Sequence, residues 1–315
     1  MTQLPEQDLP PGRHRLLKEH LMTEIAHTGE APARPGSRWL RPALSVAAVA
    51  TVAAVTFTVL PSSGDAAPRT TTVAAVLEDA ALVAGRSTGY DKIRDDQFTY
   101  VESKTSSVKI GRDGKRVVTP LHRREVWVSV DGGREGVIRD GTASREVSYP
   151  TYRPEVFPGQ LYAGYDYLAS LPTDPDAMYD RFREKVSLTV LMVDGASPVV
   201  LERDYALFRA VGELMRDGIV PPAQEAALYR AAARVSGVTV DEDAEDVLGR
   251  HGVAVAREDA KLPFRVEWIF DRKTHQMLGQ RTTVTRDYGK YRKGTVLDDA
   301  AIVRRAVVDK VGQRP

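Results

Sequence analysis

One stretch of this chain constrains everything around it. Residues 43–60 read ALSVAAVATVAAVTFTVL, with no charged residue, no glycine and no proline. An α-helix rises about 1.5 Å per residue, so such a helix would extend roughly 27 Å, close to the hydrocarbon thickness of a bilayer. Pro42 and Pro61 bracket the stretch. Pro42 suits a first helical turn, where its missing N–H costs nothing, and Pro61 cannot continue the helix. Ala and Val make up most of the segment, and Leu44, Phe57 and Leu60 are its only large, strongly apolar side chains. Ala47, Ala50 and Ala54 would let a partner helix approach closely, or simply follow an Ala-rich composition.

The flanking cations orient the span. Arg34, Arg38 and Arg41 precede it, and Arg69 is the nearest cation after it. Positive charge favours the cytoplasmic side. The expected organisation is a cytoplasmic segment over residues 1–42, a transmembrane helix over 43–60, a linker over 61–71 and an extracytoplasmic domain over 72–315. The chain would sit in the cell membrane as a single-pass protein, with Trp39 as an interfacial anchor and the lipid bilayer as its first partner. Two rival readings remain. Ser62-Ser63-Gly64 is small enough for signal-peptide cleavage, although the apolar run is longer than usual and its leader is long. A buried soluble helix is the other.

Composition removes several function classes. The chain has 315 residues and no cysteine, which excludes disulfides, thiolate-held zinc or iron–sulfur, a catalytic thiol and a lipid-bearing N-terminal Cys. Lys and Arg total 44 against 43 Asp and Glu, so no global basic footprint for nucleic acid exists. No P-loop or dinucleotide fingerprint occurs, and no cofactor is expected. With 42% apolar residues the chain has enough to bury a core.

Residues 1–42 cannot build a core alone. Leu17, Leu21 and Ile25 fall at i, i+4 and i+8, which predicts one amphipathic helix over residues 13–25 that needs a membrane surface or a partner. His14, His20 and His27 show no metal-ligand spacing.

The outer region reads as α+β. A helix is expected at Val73–Gly85, with Val73, Val76, Leu77, Ala80, Ala81 and Ala84 on one side. Strands follow over residues 97–110, 125–130 and 134–149, joined at Arg112-Asp113-Gly114, Asp131-Gly132-Gly133 and, less clearly, Asp140-Gly141. A helix starts after Asp174-Pro175, and further helices are expected over 202–216 and 222–235. Residues 186–193 (VSLTVLMV) fit either a strand or a buried helix. Strands return over 238–240, 252–257, 264–271, 280–288 and 300–309. Strands, helices and strands again predict a curved, half-barrel-like antiparallel sheet with helices on one face.

Few motifs carry chemistry. Gly85-Arg86-Ser87-Thr88-Gly89 matches G-x-S-x-G, but a helix precedes it where a nucleophile elbow needs a strand. Ser106 and Lys109 match S-x-x-K, yet on a strand an i, i+3 pair points to opposite faces. Asp241, Glu242, Asp243, Glu245 and Asp246 form an acidic cluster without calcium-loop spacing, read as a solvated turn, with a weak cation site as the alternative. Tyr149, Tyr152, Phe157, Tyr162, Tyr165 and Tyr167 crowd one Pro-containing segment. They are the candidate ligand-binding residues, and otherwise a loop pinned to the sheet by its own rings. Nothing forms a catalytic set, and the expectation is a non-enzymatic protein.

Several blocks carry a resemblance. The helix over 13–25, Trp39-Leu40-Arg41-Pro42, LPTDPDA at 171–177, GIVPPAQEAALYRAAA at 218–233, GRHGVAVA at 249–256, FDRKTHQMLG at 270–279 and VVDKVGQRP at 307–315 resemble, in this order, a family of actinobacterial single-pass membrane proteins. That family carries over no catalytic residue. The outer region is more distantly similar to the half-barrels of periplasmic lipoprotein carriers and of sigma-factor regulators. This resemblance implies a sheet that cups an apolar envelope ligand under a helical lid, and a sigma factor as the alternative partner of the cytoplasmic helix. The sequence departs from zinc-type anti-sigma proteins, since it has no Cys and its inner segment is short.

Overall fold

The computed structural model divides the chain into two units, residues 1–70 and 71–315. It describes residues 71–88, 90, 92–110, 115–142, 147–150, 163–186, 190–191 and 199–315. The expected span over 43–60 and the expected helix over 13–25 lie outside the described residues. Among the described residues no helix is long and apolar enough to cross a membrane.

Helix α1 (Val73–Gly85) opens the second unit. The Thr72 hydroxyl accepts the Ala75 N–H at 3.1 Å and so satisfies one orphan donor of the first turn. Of the stripe read from the sequence the helix buries Val76, Leu77, Ala80, Ala81 and Ala84, while Val73 at its first turn stays half-buried. Strands β1 (Phe98–Ile110), β2 (Arg116–Val118), β3 (His122–Ser129), β4 (Glu135–Asp140) and β5 (Val147–Pro150) follow. The stretch expected to be extended over 134–149 is two strands, interrupted after Asp140, where the sequence offered a turn at Asp140-Gly141. Asp140 accepts from the backbone N–H and hydroxyl of Thr142 at the break, an Asx turn that ends the ladder.

A helical block comes next: α2 (Tyr165–Ala169), α3 (Pro175–Lys185), α4 (Arg203–Asp217) and α5 (Pro222–Ala232), with the short strands β6 (Val190–Leu191) and β7 (Val199–Val200) between α3 and α4. Asp174 caps α3 by accepting the Ala177 N–H at 2.9 Å, with Pro175 just inside, as the sequence predicts. Glu202 caps α4 with both carboxylate oxygens, on the N–H groups of Asp204 and Tyr205. Of the ambiguous run 186–193, Val186 caps α3 and residues 190–191 are extended.

The chain closes with β8 (Val238–Glu245), β9 (His251–Glu258), β10 (Phe264–Asp271), β11 (Met277–Val284) and β12 (Val296–Val308). The acidic cluster is therefore not a turn. It continues β8 past a bulge between Asp241 and Ala244, and charge on an edge strand opposes pairing with foreign strands. Asp246 accepts the N–H groups of Leu248 and Arg250 and so shapes the β8–β9 connection.

Ten of the described strands form one antiparallel sheet in the order β5-β4-β3-β1-β12-β11-β10-β9-β8, with β2 attached to β1, and β6 pairs with β7 apart from it. Two meanders are thereby joined along β1 and β12, whose register runs from Phe98 opposite Val308 to Ser107 opposite Asp298. The architecture is α+β, a large curved antiparallel sheet with helices. On β10, Phe264, Val266, Trp268 and Phe270 all enter the main core together with the buried sides of α1, α3, α4 and α5. Ala244, Ala254, Ile269 and Leu278 form a smaller cluster apart from it.

Candidate functional site

Helix α4 lines a cleft among the described residues. Tyr205, Arg209, Glu213 and Arg216 recur at intervals of four, four and three residues, so they share one helix face over about 16 Å. They line a cleft of roughly 310 Å³ together with Phe264 of β10, Gln280 and Thr282 of β11, and Leu297 and Asp298 of β12. The strand residues meet by register, since Thr282 lies opposite Asp298 and Gln280 opposite Ala300.

The helix sits unusually close to the sheet because position 212 is glycine. A Cβ there would overlap Trp268 Nε1 and Gln280 Oε1, so the contact tolerates no side chain. Next to this point Phe208 stacks flat on Trp268, with ring centroids 3.9 Å apart and planes 5° from parallel. These rings, with Phe264, Phe270, Leu207 and Val266, fill the sheet face beneath α4. The close approach leaves Trp268 Nε1 and Gln280 Oε1 buried without hydrogen-bond partners.

Charges in the cleft are matched in pairs. Arg209 meets Glu213 one turn along at 2.6 Å. Arg216 donates to Asp298 of β12 at 2.7 Å and to Asp217 at 2.9 and 3.1 Å. Asp217 also receives Arg124 of β3 at 2.7 Å, and Arg305 of β12 donates to the Met215 carbonyl at 2.5 Å. Three arginines thus converge on the C-terminal end of α4, where the helix dipole and its orphan carbonyls favour cations. Burial pushes the Asp217 carboxyl upward, but Arg124 and Arg216 outweigh it and hold it below the usual range. Burial opposes the Arg216 charge, and Asp217 and Asp298 more than restore it. Burial, reinforced by Asp259 and Glu213, raises the Tyr205 phenol well above its ordinary value, so it stays protonated.

A second polar cluster lies on β1, β3 and the C-terminal tail. Arg314 grips Glu125 through two hydrogen bonds of 2.6 Å, and Tyr100 donates to the same carboxylate at 2.8 Å. Trp127 Nε1 donates to the Gln313 carbonyl at 2.7 Å, fastening the tail to β3.

The six aromatic candidates are placed only in part. Tyr152, Phe157 and Tyr162 lie outside the described residues. Tyr149 extends β5 opposite Gly136. Tyr165 and Tyr167 stand half-buried on α2, where Tyr167 packs against the main core. The described residues bring no cluster of these rings together. Ser87 follows the C-terminus of α1, its N–H donating to the Ala84 carbonyl, so the G-x-S-x-G match is a helix end and not an elbow. Ser106 donates to the Thr119 carbonyl at 2.8 Å across the β1–β2 hairpin.

Sequence reasoning missed the α4 cleft. The face 205, 209, 213, 216 was legible as a helical row mixing Tyr with charges. Asp298, the partner of Arg216, lies 82 residues away in the chain, and Arg124, which meets the adjoining Asp217, lies 93 away; no local pattern encodes such pairings. No group of His, Cys, Asp and Glu among the described residues is arranged to hold a metal.

Comparison with known proteins gives little beyond this. No family model matches the chain, and no curated protein does either. Solved structures with some likeness are the complex of MucA and MucB from Pseudomonas aeruginosa and a crystal structure of MucB, each with 13% identity and a TM-score of 0.24. A structure of MucB in complex with MucA(peri) aligns at 14% identity and a TM-score of 0.21. The alignments cover 76–77% of this chain and 57–58% of those chains. The protein thus spans less than two thirds of their length.

Proposed function

We propose that residues 72–315 are the extracytoplasmic binding domain of a single-pass membrane protein, and that the domain acts by holding a partner and not by catalysis. The observation that carries this reading is the α4 cleft. Leu297 stands half-buried on its wall above the buried Tyr205 and Phe264, and its arginines and carboxylates are bound to one another. Charges locked in ion pairs make a fixed recognition surface, whereas acid–base chemistry asks for a group poised to exchange a proton. An apolar ligand cupped by the sheet fits less well, because Phe208, Trp268, Phe264 and Phe270 already fill that face.

The anchor in this reading is the apolar run 43–60, with the Arg-flanked N-terminus inside. A second reading rests on Leu17, Leu21 and Ile25, which would form the apolar stripe of a cytoplasmic helix able to dock on a sigma factor.

Protease protection in spheroplasts, with tags at each end of the full chain, tests the topology. The expected result is digestion of a tag after Pro315 and protection of a tag before Met1. A C-terminal tag that is shielded in intact spheroplasts overturns the reading. Crosslinking and capture with the full chain tests partner binding. Recovery of a sigma factor that depends on Leu17, Leu21 and Ile25 would support the second reading.

A further inference from the structure

We propose that the β1–β2 hairpin docks on an anionic lipid surface, with Val117, Val118 and Leu121 entering the headgroup layer and Lys115 and Arg116 meeting its phosphates. This contact goes beyond the partner-binding role given above and uses neither the α4 cleft nor the apolar run at 43–60.

Position in the fold is the first argument. Strand β1 pairs with β3 as far as Thr105 and with β12 as far as Ser107. Its last residues, 108–110, pair with β2 alone among the described strands. The hairpin thus runs on for about 10 Å beyond the ladders that tie β1 into the sheet.

Exposure is the second. Val117 and Val118 are 51% and 60% exposed. Neighbouring residues on a strand point to opposite faces, so both faces of β2 turn apolar side chains to water. Leu121 is also exposed, and so is Val296, which follows the Thr295 hydroxyl that accepts from Arg116 at 3.0 Å. Four of the eight large hydrophobic residues exposed among the described ones therefore gather here. Single apolar residues are ordinary on a surface, whereas a cluster marks a contact.

Charge is the third. Residues 109–116 read KIGRDGKR, four cations to one acid, in a chain that is otherwise nearly balanced. Lys115 and Arg116 are both exposed. Arg116 donates to a neutral hydroxyl, whereas the nearby Arg123 and Arg124 are held by the carboxylates of Glu102 and Asp217. Cationic side chains of this length reach phosphates while their apolar neighbours sink between the headgroups.

These features select the occupant. Lipid surrounds a projecting tip on both faces, while a flat protein surface covers one. Strand addition asks for a longer edge, since β2 has three residues and strands usually have about five or six. A free anion would meet the cations and leave the valines in water.

The experiment uses the full chain. It has no cysteine, so Val118→Cys creates a single attachment point for a fluorescent dye. Thr239→Cys, exposed on the edge strand β8, serves as the control. Each labelled chain is reconstituted in phosphatidylcholine vesicles with or without one third phosphatidylglycerol, all containing a spin-labelled lipid that quenches dyes in the headgroup layer. The expected result in the anionic vesicles is quenching at 118 at least threefold that at 239. It should fall to the control level without phosphatidylglycerol and in Lys115→Glu/Arg116→Glu, because each cation near an anionic surface strengthens the contact about fivefold. Val117→Ser/Leu121→Ser should weaken it too. All these positions are exposed, so the melting temperature should not change.

Three outcomes overturn the inference: no quenching at 118, which leaves the patch to a protein partner; equal quenching at 118 and 239; or quenching that survives reversal of both cations, which assigns it to the dye. Alkaline carbonate extraction of the same vesicles keeps the anchor separate. A chain that resists extraction with an unquenched label at 118 loses only the hairpin contact. A chain released by carbonate after its label was quenched loses only the anchor.

Discussion

The two halves of the sheet are held in different ways. The β9–β11 half lies beneath α4 and α5 and is built from ring and aliphatic packing: Phe208 on Trp268, Tyr229 against Phe270, and Ala faces between α1 and α5. The β1–β3–β4 half has a small apolar cluster around Tyr100 and Trp127. There a carboxylate, Glu125, gathers Tyr100 and Arg314, and the tail is tied down through Trp127. The first half depends on area removed from water, and the second on directed polar contacts. The Arg124–Asp217–Arg216–Asp298 chain joins them at the end of α4. Packing is indifferent to pH and salt, while the network is not.

The largest effect is expected in the packed half. Trp268→Ala removes a fully buried ring together with its stack on Phe208 and should cost about 3–5 kcal/mol, read from urea unfolding. A loss below 1 kcal/mol would mean that the core is looser than its geometry. Asp217→Ala comes next. It leaves Arg124 and Arg216 facing each other without their shared carboxylate, at a cost of about 3 kcal/mol. Glu125→Gln should cost less, on the order of 1.5–3 kcal/mol, by weakening the Arg314 and Tyr100 contacts. Arg314→Ala is expected to be smallest, because its side chain is about half exposed. Faster proteolysis of the tail, with the melting temperature nearly unchanged, would identify it as a local fastening.

Acid should separate the halves further. The carboxyls of Asp217 and Glu125 are held below their ordinary values, burial opposing and neighbouring arginines prevailing. A lowered native pKa means that the unfolded state binds more protons as pH falls. Their contribution is thus complete above the unfolded values of about 4 and lost progressively below them. Asp217→Asn should flatten the acid limb of the stability profile, whereas Trp268→Ala should shift the whole profile without changing its slope. An acid limb unchanged in Asp217→Asn would show that the network does not govern it.

Part of this organisation was legible in advance. Val73–Gly85, the Asp174–Pro175 helix start and the one-sided apolar alternation of Phe264, Val266, Trp268 and Phe270 each follow from residues within a few positions of one another. The acidic run was misjudged as a turn because charge alone does not tell an edge strand from a loop. Its ladder with β9 supplies the difference. The aromatic segment stood out by composition, yet Tyr165 and Tyr167 lie on a helix, with Tyr167 against the core, and Tyr149 lies on β5.

The sequence by itself determined where helices and strands start, because caps, turn residues and apolar periods act over one or two turns of chain. It also determined the apolar run at 43–60, which is a property of composition. Only the tertiary structure decided that β1 pairs with β12, that Gly212 brings α4 down onto Trp268 and Gln280, and that Arg124 meets Asp217. Such contacts join residues many tens of positions apart. They arise only when the whole sheet has set its order, and local energetics cannot choose among the alternatives.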